Sequence, residues 1–306
     1  MKILALPDLH LTDKTPENRL DNYPETQEAK MNQIFEIDYS EKINVMCQPG
    51  DLFDSDKAND YLKQKWLPIF RDKASVLLTV FGQHDLRYHS RDKRNTPLQV
   101  LRSAESITLL NKDPHHFNNC DFYGCSWGEE VPEIQNPDIP SILLIHKMFV
   151  MDKKLWQGQK EFALANNFMK QHNFKVVISG DNHNHFFWSD GKGRFHINCG
   201  SLMRNRIDQI HHKPCVYVID LEKNTAEQVL LNIRPFEEVM NLEEAEKEDK
   251  KNEKLQAFIK KLPDESKIEG LKFEENLANE VAELKEQNVI DEGVEEMLNE
   301  IMEACV

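Results

Sequence analysis

The strongest constraint on the fold is a pattern that occurs five times, in which an apolar run ends in polar residues able to bind metals. The five stretches are KILALPDLHL, KINVMCQPGDLFD, SVLLTVFGQHD, SILLIHK and KVVISGDNH. Helix-length segments lie between them, for example 56–70 and 159–171. Strands that alternate with helices predict an α/β sheet with both faces covered. The polar clusters should then meet at the carboxyl ends of the strands, where such sheets bind ligands.

The stretch from 195 to 233 differs, because the short strand candidates FHINCGSLM, CVYVIDLE and AEQVLLNI follow one another directly. We expect them to complete the sheet or to form a second sheet packed against it. From residue 236 onward, apolar residues recur three and four positions apart, which predicts two or three helices. The chain is therefore predicted to have an α/β domain over 1–235 and an acidic helical extension over 236–306. The extension is either a solvated appendage packed on the domain or a docking element for a partner helix, with disorder as the third alternative.

Charge is distributed unevenly along the chain. Residues 1–235 contain 29 Lys and Arg against 31 Asp and Glu, whereas residues 236–306 contain 9 against 22. The overall net charge of −15 argues against a nucleic-acid partner. A nearly neutral body can still carry a basic groove, however, especially if bound divalent metals add positive charge. Charge therefore excludes no class of partner.

Other features of the sequence concern its cellular location. No stretch approaches the roughly 18 apolar residues that a membrane span needs, and the N-terminal apolar run is too short for a signal peptide. The six cysteines are scattered without C-x-x-C pairs, which predicts reduced thiols. We expect a cytoplasmic protein that does not bind membranes.

Metal-binding side chains gather at the ends of the predicted strands. They are Asp8, His10, Asp51, Asp54, Gln83, His84, Asp85, His146, Asp181 and His183. A single Asp-x-His is common by chance, and a lone histidine after a strand is usually a hydrogen-bonded core residue. The whole set in this order, with each cluster at the end of a strand, would instead be rare by chance.

This set resembles the calcineurin-like metallophosphoesterases, whose motif order is D-x-H, G-D, G-N-H-D, H and G-H-x-H. The resemblance covers roughly residues 1–205 and implies a β-sandwich core flanked by helices. Within the family, the stretches DLHLTD, LLIHKMF and NCGSLMR and the helical extension are most similar to SbcD-type DNA repair nucleases and their phage-encoded relatives. A phage-encoded protein would act in the host cytoplasm. The resemblance implies a two-metal phosphodiesterase that cleaves DNA, as an exonuclease or an endonuclease.

The resemblance also implies how the ligands are shared. One ion would bind Asp8, His10, Asp51 and His183, and the other would bind Asp51, Gln83, His146 and Asp181. Two ions about 3.5–4 Å apart clamp a phosphoryl group and neutralise the attacking and leaving oxygens. Mixed carboxylate, imidazole and amide ligation suits Mn²⁺, with Mg²⁺, Fe or Zn²⁺ as alternatives.

Two positions depart from the family pattern. Gln83 replaces the asparagine of G-N-H-D and keeps an amide oxygen on a side chain one methylene longer. Asp181 stands at the first histidine of G-H-x-H, where a carboxylate suits a hard ion. A second alignment uses His183 and His185 as the H-x-H pair. The spacing from Gly180 favours Asp181, and His185 stays open as the alternative.

Catalytic roles follow from the same resemblance. His84 would be the general acid that protonates the leaving oxygen, with Asp85 orienting it. Asp54 would support a ligand histidine, as carboxylates behind metal ligands do. The alternative for His84 is a hydrogen-bonding role behind the ligands.

Substrate and partner predictions concern less specific patterns. Arg87 and His89 begin a basic stretch with Arg91, Lys93 and Arg94 that is expected to contact the phosphate backbone of DNA, or else to be a solvated loop. The resemblance implies an SbcC-type ATPase docked on the C-terminal helices, and it allows a homodimer. Four further histidines lack a strand-end position and are expected at the surface: His115, His116, His211 and His212.

Two other functions stay open. A metallophosphoesterase of the same fold and metals could act on a small phosphodiester, a cyclic nucleotide or a phosphoprotein. A non-catalytic scaffold is the other alternative, but Gln83 and Asp181 both retain oxygen ligands and His84 is intact.

Overall fold

The computed structural model describes residues 1–73, 75–87, 93–151 and 162–244. The strands are Lys2–Ala5 (β1), Val45–Gln48 (β2), Val76–Thr79 (β3), Thr108–Leu109 (β4), His115–Phe117 (β5), Cys120–Cys125 (β6), Ser141–His146 (β7), Phe149–Val150 (β8), Ala163–Leu164 (β9), Val176–Gly180 (β10), Phe186–Ser189 (β11), Phe195–Asn198 (β12), Cys215–Asp220 (β13) and Thr225–Leu230 (β14). The α-helices are Tyr23–Glu41 (α1), Asp60–Arg71 (α2), Pro97–Ser103 (α3), Ala165–Gln171 (α4) and Phe236–Val239 (α5), and a 3₁₀ turn spans Ile207–Gln209.

Two six-stranded sheets form the framework. The first has the order β14-β13-β1-β2-β3-β4, and the second has the order β11-β12-β10-β7-β6-β5. Strands β1 to β4 run parallel, as do β6, β7, β10 and β12, while antiparallel strands lie at the outer positions. Parallel strands buried on both faces read as continuous apolar runs, which explains the repeated pattern in the sequence.

Alternate residues along each strand enter different layers of the core, as the two-residue period of a strand requires. Ile3 and Val45 face the second sheet and pack in a layer with Ile142 and Ile178. Leu4, one residue further along β1, packs instead with the residues of the first three helices. A third cluster joins the outer face of the second sheet to α4. The result is a sandwich of two sheets with helices outside, and the predicted α/β class is confirmed.

The three helices on the first sheet begin at capping side chains. The oxygens of Asn22, Asn59 and Thr96 accept hydrogen bonds from the backbone amides of Glu25, Leu62 and Gln99. Such caps satisfy amides that have no partner within the helix.

The strands predicted between 195 and 233 exist but belong to different sheets. β12 lies in the second sheet, whereas β13 and β14 extend the first. β13 returns antiparallel to β1, with Leu4 opposite Val218. These strands therefore complete both sheets of the sandwich.

The chain divides into Met1–Met240 and Asn241–Val306, whereas the sequence pattern places the division after Pro235. Phe236, Val239 and Met240 are buried within the first unit. Residues 245–306, which carry most of the predicted helical extension, lie outside the described residues. Among the described residues, no helix combines the length and apolarity needed to cross a membrane.

Candidate metal centre

The predicted ligands lie where five parallel strands end, three in the first sheet and two in the second. β1, β2 and β3 lead to Asp8, Asp51 and Gln83, whereas β7 ends at His146 and β10 leads to Asp181. Hydrogen bonds join the two groups of loops: the amide of Asp181 donates to Oδ2 of Asp8 over 2.8 Å. Residues from both sheets therefore meet in one place.

The backbone of this region adopts conformations that most residues avoid. His10, Asp51 and Asp181 have φ values of 45°, 52° and 76°. These left-handed values are uncommon outside glycine and cost of order 1–3 kcal/mol each when they are strained. Such conformations concentrate at functional sites, and here they turn the chain directly after three strand ends.

Glycines make room for the ligands. A Cβ atom on Gly82 would overlap with the Asp51 carboxylate, and one on Gly180 would overlap with the carboxylate of Asp8. A Cβ on Gly50 would lie 2.6 Å from Nδ1 of His146. The glycines of the predicted motifs thus allow backbone and ligand side chains to pack against each other.

Four buried polar atoms of this cluster have no hydrogen-bond partner in the part of the chain that the structure describes. They are Oδ1 of Asp8, Oδ2 of Asp51, Oε1 of Gln83 and Nε2 of His146. Buried polar atoms are normally bonded, and leaving one without a partner costs about 1–3 kcal/mol. Three oxygens and one imidazole nitrogen are the donor set that divalent ions take. The residues present therefore fit a metal centre.

Distances within the cluster agree with shared ligands. Oδ2 of Asp51 lies 3.3 Å from Nε2 of His146 and 3.7 Å from Nε2 of His10. Nε2 of His183 lies 3.2 Å from Nε2 of His10 and 3.9 Å from Oδ2 of Asp8. Ligand atoms about 2.0–2.2 Å from one ion lie roughly 3 Å from each other. Asp51 therefore lies close to one histidine of each predicted ligand set, and its bridging role stays a prediction.

Hydrogen bonds behind the ligands orient two imidazoles. Nδ1 of His146 donates to the carbonyl oxygen of Pro49 over 2.8 Å, so that Nε2 is left to face Asp51. Nδ1 of His10 lies 3.4 Å from a carboxylate oxygen of Asp54, the support predicted for Asp54. Metal-binding histidines are commonly fixed in this way.

Asp181 and His185, the two alternatives for one ligand, lie in different surroundings. Oδ1 of Asp181 accepts a hydrogen bond from Nε2 of Gln83 over 3.1 Å, which leaves the Gln83 oxygen inside the site. The exposed His185 ring instead has its centroid 6.5 Å from that of His212. The structure thus brings Asp181 to the cluster, and its role as a ligand stays a prediction.

Comparison with known proteins agrees with this geometry. The family model described as Calcineurin-like phosphoesterase matches residues 1–185. The chain belongs to the calcineurin-like phosphoesterase family. No curated protein matches it. Membership assigns this protein the phosphoester chemistry of a family that uses divalent metal ions.

The similar solved structures share little sequence identity with this phosphoesterase. The hypothetical protein PH1004 from Pyrococcus horikoshii is 11% identical with a TM-score of 0.38, over 78% of this chain and 90% of that one. Vps29 from Chaetomium thermophilum is 14% identical with a TM-score of 0.35, over 76% and 97%. A 5′-nucleotidase precursor from Thermus thermophilus is 9% identical with a TM-score of 0.42, over 76% and 54%.

His84, the predicted general acid of the phosphoesterase, lies beside the ligands. Its ring centroid is 4.9 Å from that of His10, and its backbone amide donates to Oδ1 of Asp51 over 2.9 Å. Nδ1 of His84 donates to the carbonyl oxygen of Asp54 over 3.0 Å. Asp54 therefore contacts both a ligand histidine and the candidate acid.

Asp85 accepts hydrogen bonds from three backbone amides. One carboxylate oxygen accepts hydrogen bonds from the amides of Asp51 and Gly82 over 2.8 and 2.9 Å, and the other accepts from Phe53 over 3.3 Å. The buried carboxylate thus points back into the loops, and its role in orienting His84 stays a prediction. Asp85 thus holds the backbone of two ligand-bearing loops together.

The electrostatics of the cluster raise the pKa values of His10 and His146, so both are protonated near neutral pH, whereas the lowered pKa of His183 leaves it neutral. Burial opposes the charged form of His146, but Asp51 and Asp8 outweigh it and raise its pKa to about 10. Burial, followed by the Asp51 charge, raises the pKa of Asp8 to about 8. Burial and the neighbouring His10 lower the pKa of His183 to about 3. A cation entering here would displace protons from histidines, as metal binding generally does.

Four residues beside the candidate acid are not predicted from the strand-end motifs. A cavity of about 140 Å³ adjoining His10, His84 and His183 is also lined by Tyr23, Asn205, Arg206 and Gln209. Oε1 of Gln209 accepts hydrogen bonds from the amides of Asn205 and Arg206 over 2.7 and 3.1 Å, which fixes their loop. The usable signal was the stretch NRIDQ directly after NCGSLMR.

The basic stretch after His84 is only partly open to a substrate. Arg87 is exposed, whereas His89 and Arg91 lie outside the described residues. Nζ of Lys93 forms an ion pair with Glu129 over 2.6 Å and donates to Ser126 over 3.0 Å. These contacts engage the lysine within the protein and compete with binding to DNA. Arg94 is exposed.

The surface position expected for four histidines is wrong for one of them. His212 is buried, and its Nε2 donates to the carbonyl oxygen of Ser201 over 2.8 Å. Gly200 allows this approach, since a Cβ there would lie 2.8 Å from the His212 ring. His116 is exposed and contacts Asp121 over 2.5 Å.

Proposed function

We propose that this phosphoesterase hydrolyses the phosphodiester bonds of DNA as a nuclease of the SbcD type, with two Mn²⁺ ions. The observation that carries the hydrolytic part is the convergence of four unpartnered buried ligand atoms beside His84. Bound ions would neutralise the phosphoryl oxygens and lower the pKa of water. The residues that would hold them are Asp8, His10, Asp51, Gln83, His146, Asp181 and His183.

The protein's own residues position the proton transfer. The hydrogen bond from Nδ1 of His84 to the Asp54 carbonyl sets the ring so that Nε2 is the nitrogen that can protonate a leaving oxygen. The His84 amide holds Asp51 in turn. Candidate acid and bridging carboxylate are therefore fixed by one loop.

The size of the cavity supports a polymeric substrate. Its volume of about 140 Å³ is below the roughly 300–1,000 Å³ of pockets that enclose small ligands. This volume suits a substrate whose scissile group enters while its larger part lies outside. Arg206 in the cavity wall and exposed Arg87 supply charges suited to backbone phosphates. A phosphoprotein meets the same size requirement and is the second candidate.

Linear and circular DNA incubated with the purified chain and Mn²⁺ provide the test. We expect cleavage that Asp51→Asn abolishes and that His84→Gln lowers by about 10²–10⁴-fold. Lys223→Met, at an exposed position far from the ligands in sequence, is the matched control. Turnover of a phosphopeptide or a cyclic nucleotide with intact DNA would replace the nuclease by the other enzymatic candidates. Failure on every substrate with Mn²⁺, Mg²⁺, Fe²⁺ and Zn²⁺ would leave the non-catalytic scaffold.

We also propose that an SbcC-type ATPase binds the C-terminal segment. Residues 245–306 lie outside the described residues, so the support is the apolar spacing in the sequence. Elution of the full chain with such an ATPase, and loss of this complex when the spacing is broken by Leu277→Asp and Val281→Asp, would test it. Light scattering of the chain alone distinguishes a monomer from a homodimer.

A further inference from the structure

A second and larger cavity, here called the basic cavity, lies near the metal centre. Its volume is about 500 Å³. Its charged lining consists of Arg19, Asp21, Glu25, Lys30, Arg204 and Arg234. None of these residues is a predicted metal ligand, and the proposed reaction does not use them.

The Asp21 carboxylate in the basic cavity already pairs with arginines. Asp21 accepts two hydrogen bonds from the Arg19 guanidinium, each 2.8 Å long, and its Oδ2 lies 3.0 Å from Nη2 of Arg234. Glu25 is exposed. One buried carboxylate is therefore shared by two arginines. It does not form an ion pair with the other two cations, Lys30 and Arg204.

Lys30 is one of those cations. It is 5% exposed, and Nζ donates to the carbonyl oxygen of Leu202 over 2.8 Å. Among the described residues no carboxylate lies within ion-pair distance of it. Burial, followed by repulsion from Arg204 and Arg19, lowers its pKa to about 7. Burying a cation without a counter-charge is costly.

Arg204 is the other. It is also 5% exposed, and it donates through Nη2 to the carbonyl oxygen of Arg234 while its guanidinium lies 5.3 Å from the centre of the Phe236 ring. The charges of Asp21 and Glu237 influence the pKa of Arg204, but neither carboxylate forms an ion pair with it among the described residues. Two buried cations thus face the same cavity without an anion of their own.

We propose that the basic cavity binds a phosphate-type anion, held by Lys30, Arg204 and Arg234. A guanidinium presents a planar fork of donors that matches phosphate oxygens, and an ammonium adds a point charge. The volume is within the range of pockets for small ligands. The anion is either a free phosphate compound or a backbone phosphate of a nucleic acid, since both present the same oxygens.

The bound anion would contact the segment that supports a metal ligand. Lys30 holds the Leu202 carbonyl, and the Leu202 amide donates to the carbonyl oxygen of Asp8 over 2.9 Å. The Asp8 amide in turn donates to Gly200 over 2.9 Å. Anion binding is therefore connected to the metal centre by adjacent peptide groups, although the site itself does not depend on the proposed nuclease activity.

Inorganic phosphate added to the full chain in EDTA is the test. We expect phosphate, at constant ionic strength against chloride, to raise the melting temperature and to bind in calorimetry. Lys30→Met should weaken that binding at least about tenfold, because a buried charge contact is lost. Lys223→Met is the matched lysine control, and Asp51→Asn shows whether phosphate sits at the metal ligands instead.

Three results would overturn the proposal. They are no stabilisation of the wild-type chain by phosphate, stabilisation that survives Lys30→Met, and stabilisation that disappears in Asp51→Asn. If Lys30→Met does not fold, Arg234→Gln replaces it, since that side chain is 53% exposed and tolerates change. A 5′-phosphorylated oligonucleotide that depends on Lys30 in the same way identifies the source as nucleic acid. Binding of phosphate without the oligonucleotide identifies a free phosphate compound.

Discussion

The metal centre and the basic cavity both contain buried polar groups that lack a compensating partner, but the chemistry of these groups is opposite. The first contains carboxylate oxygens and an imidazole without partners, whereas the second contains Lys30 and Arg204 without a counter-charge among the described residues. A folded chain retains buried polar groups at such cost where a ligand of the opposite sign compensates them. The comparison therefore predicts a cation in one place and an anion in the other.

The two regions also differ in how the backbone builds them. Each metal ligand follows a strand within a few residues, and glycines and left-handed turns bring it to the sheet edge. The basic cavity instead combines a helix residue, Lys30, with arginines from separate loops. The first site is formed by short loops next to the strand ends, whereas the second is formed by residues from distant parts of the sequence that pack together.

The largest effect is expected from closing the space beside the bridging carboxylate. Gly82→Ala places a methyl group where the Asp51 carboxylate lies, so metal affinity and turnover should fall by roughly 100-fold or more. Gly191→Ala adds the same methyl group where no atom lies within 4 Å, and it should leave both unchanged apart from a small loss of stability at its positive φ. Calorimetric titration with Mn²⁺ measures the difference. Equal metal affinity in the two variants would show that Asp51 does not bind the ion.

A smaller effect is expected from the carboxylate behind His10. Asp54→Asn removes the charge that lies 3.4 Å from Nδ1 of His10 but leaves the backbone carbonyl that holds His84. Metal affinity should fall about 10- to 100-fold. Once metal is saturating, turnover should return close to the wild-type value. Turnover that stays low at saturating metal would place Asp54 in the proton transfer rather than in ligand support.

The sequence predicted the ligand-bearing strands better than the strands around them. Five apolar runs and their polar ends identify β1, β2, β3, β7 and β10 because buried parallel strands carry few polar residues. β6 was missed, since CDFYGC contains an aspartate and a glycine that read as a turn. In the fold Asp121 pairs with His116, and Gly124 lies against Leu110. Tertiary contacts thus make a buried strand from a stretch that has no strand pattern.

Two site features could not be read from spacing. The buried carboxylate of Asp85 accepts hydrogen bonds from amides of two loops, and its place directly after His84 in the sequence does not indicate these partners. The direction of a side chain in a turn depends on backbone angles that adjacency in the sequence does not define. The sequence does not indicate the basic cavity, because its charged residues are spread along the chain from Arg19 to Arg234 and form no motif.

The basic cavity should affect stability in a pH-dependent way. The pKa of Lys30 is lowered to about 7, and Arg204, Arg19 and Asp21 are the charges that act on it. Between pH 7 and about 10.5 the unfolded chain binds a proton that the folded chain lacks, so the free energy of unfolding rises with pH. Lys30→Met should remove this rise and stabilise the protein by roughly 2–4 kcal/mol near pH 7.

Urea denaturation across this pH range measures the effect in EDTA. Phosphate bound in the cavity should favour the charged ammonium and flatten the same slope in the wild-type chain. Lys223→Met serves as the control, because its exposed side chain carries no burial penalty. If phosphate leaves the pH dependence of the wild-type free energy of unfolding unaltered, anion binding does not change the protonation of Lys30.

The smallest expected effect distinguishes the two candidate polymers at the metal centre. Arg206 lines the cavity beside His84, and Gln209 fixes its backbone. If it contacts a backbone phosphate, Arg206→Ala should raise KM for DNA several-fold, leave kcat unchanged and make the salt dependence shallower by about one charge. Arg71→Ala, an exposed arginine on α2, is the control. An unchanged KM and salt slope would remove Arg206 from the DNA path and favour the phosphoprotein, because a single phosphorylated side chain can reach the metal ligands without a flanking phosphate contact.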